Sequence, residues 1–194
     1  LFVVEGLPGI DLEMPHVLGS DGAGEVVEVG SDVADFRPGD HVMLNPCIWC
    51  GTCEFCRQGE QSLCVHLRLK GEHAPGTFRE YFTAGETNLA RIPEGISFSK
   101  AAAFSLVHQT AWRLLISRGH LEPGEDVFIH GIGGGVATAA LGIARLAGAR
   151  IFVSSSDDAK LKRARELGAT FAWNYENEDV IAQVRSATGN RGVD

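Results

Sequence analysis

Four glycines in five residues, Gly131-Ile132-Gly133-Gly134-Gly135, separate a short apolar run (Val127–His130) from an alanine-rich stretch (Gly134–Ala147) whose single charge is Arg145. A buried strand, a tight glycine turn and a helix N-terminus in that order form a site for a diphosphate. The glycines let the backbone approach the phosphates, and the unpaired N–H groups and dipole of the helix attract the anion. A strict G-x-G-x-x-G reading fails at Val136, whereas G-x-x-G-x-x-A fits with Gly131, Gly134 and the small Ala137. A plain tight turn is the competing reading. Alternation after the turn favours a dinucleotide site: a strand at Ile151–Ser154, a helix capped by Ser156 and ended by Gly168, a strand at Phe171–Tyr175, and a helix marked by Val180, Ile181 and Val184. Asp157 and Asp158 fall in the first turn of that middle helix, where its dipole favours acids. The pattern is that of a parallel doubly wound sheet. It stops where a fourth strand is due, and the chain opens on Leu1 rather than Met, so a piece of a longer protein is expected.

The tip of the second strand discriminates between cofactors. NAD sites place an acid there to hold the ribose hydroxyls. This chain has Ser154-Ser155-Ser156, with Lys160 one turn into the helix, a set suited to a ribose 2′-phosphate. NADP is therefore the expected cofactor, with NAD the alternative, because Asp157 is near enough to turn toward a ribose and the serines also suit a helix cap.

The first half has another texture. Turn dipeptides (Pro8-Gly9, Pro38-Gly39, Pro75-Gly76) punctuate short β-branched runs, with strands expected at Val26–Val29, His41–Leu44 and Thr77–Ala84. Ser99–Ile116 is apolar at helical spacing, with Ser99 the expected N-cap. All five cysteines fall between positions 47 and 64. Their C-x2-C-x2-C-x7-C spacing suits four thiolates on one tetrahedral zinc. An iron–sulfur cluster is the rival, although bacterial ferredoxin motifs close with x3 and a proline where Val65 follows here. Disulfides fit poorly, since neighbouring cysteines would compete for partners and an odd count leaves one over. Zinc thiolates imply a reducing, cytoplasmic setting.

A net charge of −8 argues against nucleic-acid and anionic-membrane partners, and no apolar run reaches the ~18 residues of a membrane span. A small-molecule substrate and a homo-oligomeric full-length protein are expected.

Leu18–Val27 (LGSDGAGEVV), Cys50-Gly51-Thr52-Cys53-Glu54-Phe55-Cys56 with Cys64, Gly76–Tyr81 and the Gly131 turn occur in an order similar to the medium-chain dehydrogenase/reductase superfamily. The chain resembles its zinc-containing alcohol dehydrogenases and quinone oxidoreductases. The resemblance implies an α/β protein: a partial, mostly β GroES-like catalytic domain over residues 1–115, then a partial Rossmann domain over 116–194, with substrate and nicotinamide meeting in the cleft between them. It implies an NAD(P)-dependent oxidoreductase; a non-catalytic nucleotide-binding protein of the same fold is the alternative. Structural zinc falls on Cys50, Cys53, Cys56 and Cys64, leaving Cys47 over. The cofactor contacts fall on Thr110, Gly133, Gly134, Gly135, Val136, Ser155, Lys160 and Tyr175, with Lys160 and Tyr175 matching the 2′-phosphate ligands of NADPH-dependent quinone reductases. The catalytic-zinc positions of alcohol dehydrogenases carry Ser20 in place of histidine and Leu106 in place of cysteine, which points to zinc-independent hydride chemistry. Asn45 and Thr110 are the candidate catalytic residues. An asparagine before a proline, as at Asn45, is more often a turn residue, and Thr110 is equally a helix hydroxyl bonded to a carbonyl. Nothing in the sequence pairs His16, His108 or His130 with a carboxylate, and structural roles are expected for them.

Overall fold

The computed structural model describes residues 2–6, 12 and 14–194; the expected Pro8-Gly9 turn lies outside these. Two units, Leu1–Leu106 and Val107–Asp194, separate along the chain.

The first unit contains α1 (Phe2–Glu5), β1 (Ala23–Glu25), β2 (His41–Leu44), β3 (Cys47–Ile48), α2 (Glu54–Arg57), β4 (Arg68–Leu69) and β5 (Leu89–Arg91). Strand β2 is the middle of an antiparallel sheet ordered β1-β2-β5, with Val42 opposite Gly24 and Arg91. Its alternation works as period-two burial requires: Val42 and Leu44 are buried, at 6 % and 1 % exposure, while His41 faces out. Strands β3 and β4 pair antiparallel and frame the cysteine loop.

Two expected strands are corrected. Val26 still exchanges backbone bonds with Asp40 and Gly39, at 2.9 and 2.8 Å, but pairing ends there and Val27 is exposed. The next residue across the turn is Pro38, which has no N–H to offer a ladder. Thr77–Ala84 is not a strand. Thr77 and Phe78 donate to the carbonyls of Gly19 and Leu18, at 2.9 Å each, but no ladder continues past them among the described residues, and Phe78 and Tyr81 face solvent. Alternation marks a surface that fits a sheet; it forms a strand only where a partner edge exists.

Helix α3 (Phe98–Trp112) runs into a π-helical turn at Arg113–Arg118. Its cap is Ser97 rather than Ser99: the Ser97 hydroxyl accepts the Lys100 N–H at 3.4 Å and its carbonyl the Ala101 N–H at 3.0 Å. Ala111 is fully buried in the second unit's core, and Val107, Leu115 and Ile116 pack against that core. The division therefore falls inside α3, ahead of the 115/116 boundary expected from the sequence.

The second unit alternates β6 (Asp126–Ile129), α4 (Gly135–Leu146), β7 (Arg150–Ser155), α5 (Asp158–Glu166), β8 (Phe171–Asn174) and α6 (Val180–Ala187). Its strands are parallel in the order β6-β7-β8. One sheet face and the helices bury Ile129, Ile151, Val153 and Ala172 against Ala140, Leu141, Ile143, Ala144 and Leu161. Alanines on α4 let the helix approach the sheet closely, while its Thr138, Gly142, Arg145 and Leu146 face out, so the helix is covered on one side although Arg145 is its single charge. On the opposite sheet face, Phe152 stacks on Phe171 with ring centroids 5.0 Å apart. Helix α5 is capped by Asp157, not Ser156: the Asp157 carboxylate accepts the N–H groups of Ala159 and Lys160. A charged oxygen at that position satisfies two of the helix's unpaired donors and matches its dipole. Strand β8 ends at Asn174, so Tyr175 stands just beyond the sheet.

Candidate functional site

Cys50, Cys53, Cys56 and Cys64 converge so that all four sulfurs lie within 4.8 Å of one another, and Cys50 and Cys56 are 3.9 Å apart. Thiolates about 2.3 Å from a common tetrahedral centre stand about 3.8 Å apart, so the cage fits one zinc ion. The sulfurs are too far apart for disulfides, at about 2.05 Å, and too crowded for a cluster carrying its own inorganic sulfides. Local backbone prepares the charge. Cys53 N–H points at the Cys50 sulfur, and the N–H groups of Cys50 and His66 point at the Cys64 sulfur, at 3.3–3.4 Å. N–H bonds from Thr52 and Cys53 hold the Cys50 thiol down at about 5, whereas burial pushes Cys56 up to about 12. Thiols packed this closely resist ionising together, and a dication relieves that conflict. Gly51 and Gly59, both with positive φ, turn the chain around the cage. Cys47 lies outside it on β3, its thiol raised by burial.

Asn45 sits just before this lobe. Its side-chain oxygen accepts the Cys47 N–H at 3.1 Å, closing a turn over Pro46, and the buried Asn88 amide ties the Asn45 and Cys47 carbonyls together. Upstream, the Ser20 hydroxyl donates to the Lys70 carbonyl at 2.7 Å, and burial raises the neighbouring Asp21 carboxyl. Among the described residues, the four cysteines are the group of three or more His, Cys, Asp or Glu side chains brought to one point. A groove of about 520 Å³ in the same unit runs between the Asp21–Gly30 stretch and Thr77–Ala84, with Val27, Phe36, Val42 and Phe82 in its walls. It gathers neither Asn45 nor the cysteines.

In the second unit the glycine turn has the shape its sequence requires. Gly131 and Gly133 have φ of +70° and +118°, which L side chains rarely adopt, and open space surrounds the Cβ positions of Gly131 and Gly134. The Ile132 N–H donates to the Ser154 carbonyl at 2.8 Å, clamping the turn to the tip of β7. The first N–H groups of α4, from Gly135 and Val136, lack partners within the helix. At Gly135 a methyl group would stand 3.0 Å from Val107, so glycine allows α3 and α4 to pack. Open space above, free donors at the helix end and a rigid clamp fit a diphosphate. Thr110 lies on an exposed face of α3.

Ser155, Lys160 and Tyr175 gather at one corner of this turn. The aliphatic stem of Lys160 crosses Gly133, where a methyl would stand 2.6 Å from its Cδ. The Lys160 ammonium lies 4.0 Å from the Asp157 carboxylate that caps α5. The Ser155 hydroxyl accepts the Asp157 N–H at 3.2 Å, and the Tyr175 N–H donates to the Ser155 carbonyl at 3.2 Å. His130, for which the sequence implies a structural role, also stands at this corner. Its Nδ1 lies 2.8 Å from the Ser154 hydroxyl and its ring packs on Tyr175. The parallel pairing of β6 with β7 and of β7 with β8 puts the three together, and no local spacing signals it.

A parallel sheet carrying a glycine turn, preceded by an antiparallel unit with a four-cysteine lobe, defines the class to which comparison should lead. The family described as the alcohol dehydrogenase GroES-like domain matches residues 3–94, and the family described as zinc-binding dehydrogenase matches residues 135–194. The chain is 33 % identical to a sorbitol dehydrogenase of Bacillus subtilis over 94 % of its own length and 52 % of that protein's. It is 32 % identical to an alcohol dehydrogenase of Schizosaccharomyces pombe, over 97 % of this chain and 54 % of that one. A crystal structure of an NAD-dependent alcohol dehydrogenase superposes with a TM-score of 0.91 at 44 % identity, covering 94 % of this chain and 53 % of that one. The chain belongs to the medium-chain dehydrogenase/reductase superfamily and spans about half the length of the relatives it matches.

Proposed function

We propose that this chain is part of an NADP-dependent oxidoreductase that moves hydride between nicotinamide and a carbonyl or alcohol, a quinone or an activated double bond. The observation that carries the NADP reading is Lys160, whose stem lies across Gly133 with its ammonium 4.0 Å from Asp157, two residues beyond the serine-lined tip of β7. Gly133, Gly134, Gly135 and Val136 present backbone to the diphosphate, while Ser155, Lys160 and Tyr175 surround the ribose 2′-phosphate. The bound cofactor supplies the hydride. Thr110 lies against the nicotinamide. Asn45 holds its side-chain oxygen on the Cys47 N–H, which orients the amide NH2 to donate to a developing oxyanion. The cysteine lobe holds zinc in a structural role.

Ser20 and Leu106 offer no imidazole or thiolate where alcohol dehydrogenases hold catalytic zinc, so substrates that delocalise negative charge by themselves, quinones and enones, are favoured. The protein is proposed to be a cytoplasmic homo-oligomer. NAD is the second reading: the 44 %-identical structure is of an NAD-dependent enzyme, and Asp157, the cap of α5, follows the tip of β7 closely enough to turn toward the ribose hydroxyls. A nucleotide-binding protein without turnover is the other.

Three measurements separate these readings. NADPH oxidation by the full-length protein with a quinone, an enone and an aldehyde tests turnover, and binding without any turnover would leave only the non-catalytic reading. Lys160→Ala is expected to weaken NADPH binding about tenfold, roughly 1.4 kcal/mol, and to leave NADH nearly unchanged. Equal losses for both cofactors would assign Lys160 to general helix-surface contact and favour NAD.

A further inference from the structure

His130 ends the β6 side of the glycine turn, one residue before Gly131, and its ring is exposed there. Two neighbours hold it in place. Its Nδ1 lies 2.8 Å from the hydroxyl of Ser154, a fully buried residue, and the Tyr175 ring packs on it with centroids 5.3 Å apart at 35°. The bond to Ser154 survives a change of charge. A neutral imidazole accepts the Ser154 O–H at Nδ1, and an imidazolium donates Nδ1–H to the Ser154 oxygen. The ring therefore keeps its position in both states, so a proton adds charge without a rearrangement.

That charge would sit among the residues proposed above for the ribose phosphate: Ser155 follows Ser154 on β7, and Tyr175 touches the ring itself. We infer that His130 is a specificity-determining residue, its imidazolium adding, against Tyr175, a positive charge to the one Lys160 supplies for the 2′-phosphate, so that protonation raises the preference for NADPH over NADH. The inference rests on the dinucleotide reading of this turn.

The ionisable groups on the surrounding elements allow this. The turn after His130 carries none through Gly135, and the tip of β7 carries only serines. On α5, Asp157 accepts from Ala159 and Lys160 and also faces the Lys160 ammonium, while Asp158 accepts from the Asn174 amide at 2.8 Å. Beyond β8 stand Tyr175, Glu176 and Glu178, the last accepting the Asn174 N–H at 3.0 Å. Lys160 is the cation of this set, and Asp157 is the acid that faces it. At a solvent-exposed separation of several ångströms, one added charge changes phosphate affinity only several-fold. The phosphate's own second ionisation, near pH 6, acts in the opposite direction, because acid lowers its charge. That effect is common to wild type and variant, so their ratio isolates His130.

The test is fluorescence titration of the full-length protein with NADPH and with NADH, from about pH 5.5 to about 8.5, a range in which histidine side chains change charge. Wild type, His130→Gln and Lys160→Ala are compared, with His130→Asn repeating the test in a shorter side chain. The expected result is a loss of NADPH affinity of about threefold to tenfold in His130→Gln at the acid end, shrinking to none at the alkaline end, with NADH unchanged throughout. A loss that does not vary with pH, or that is equal for both cofactors, would overturn the inference and leave His130 as ring packing. Lys160→Ala reads out separately: if it spares NADPH, the NADP assignment itself fails, and if wild type binds neither cofactor, the dinucleotide reading fails with it.

Discussion

The two halves of this chain reach order by different routes. Among the described residues, the first unit buries five apolar side chains (Val42, Leu44, Pro46, Cys64 and Ala101), one of them a proposed metal ligand, whereas the second buries fifteen. The second unit is held as a packed layer of helices on a parallel sheet. Around the cysteines, by contrast, α2 contributes no buried residue, and turns at Gly51 and Gly59 bring the sulfurs together. Where hydrophobic burial is this thin, metal binding and folding become one equilibrium. A small lobe without a core of its own depends on its ion, and a doubly wound sheet does not.

The largest effect should therefore come from the metal. Removing zinc with a strong chelator, or replacing Cys53 by serine, is expected to abolish hydrogen-exchange protection across Cys50–Cys64 while amides of β6, β7 and β8 keep theirs. Structural zinc contributes on the order of 10 kcal/mol in small thiolate sites. Elemental analysis should read about one zinc per chain in the native protein and less in the variant. Iron instead of zinc, or unchanged metal in Cys53→Ser, would break the comparison.

In the second unit the corresponding lever is volume. Leu141, 1 % exposed on α4, packs against the sheet, and Leu141→Ala should cost about 2–5 kcal/mol in urea unfolding with metal content unchanged. A loss of zinc in this variant would mean the two modes of stabilisation are not separate.

The smallest expected effect lies at the N-terminal end of the sheet. Asp126, 2 % exposed, takes two bonds of 2.6 Å from Arg150 and one of 3.2 Å from Arg191, and its N–H reaches the Asp194 carboxylate. The Arg150 hydrogen bonds hold the Asp126 carboxyl below the usual range, and Arg191 does the same for Asp194. Because both values are depressed on folding, their stabilisation is complete above the unfolded carboxylate range, about pH 4. It is lost as pH falls from there through the folded values. Asp126→Asn should cost about 2 kcal/mol near neutrality, and the difference from wild type should narrow below about pH 4. A difference that stays constant with pH would show that the arginines contribute packing rather than charge.

Several features of both units were legible before any coordinates. The glycine turn, the strand–helix alternation and the cysteine spacing are local patterns, and each reports a local requirement: positive φ at Gly131 and Gly133, apolar burial in β6 and β7, and thiolates on one loop. Misreadings arose where two chemically adequate choices competed within a few residues. Ser97 and Ser99 both suit a cap, as do Ser156 and Asp157, and the angle at which the chain enters the helix selects between them.

What the sequence determined by itself was therefore whatever depends on neighbours in the chain: the doubly wound class of the second unit, the gathering of four cysteines in one lobe of the first, and the positions of the main turns. The tertiary structure alone decided which runs find a partner. Thr77–Ala84 is as rich in strand-favouring residues as His41–Leu44, yet only His41–Leu44 has strands on both sides. The meeting of His130 with Ser154 and Tyr175 belongs to the same category, for parallel pairing joins residues separated by a whole helix. Backbone hydrogen bonds and side-chain contacts across a sheet depend on the register between segments, and no short stretch of sequence encodes that register alone.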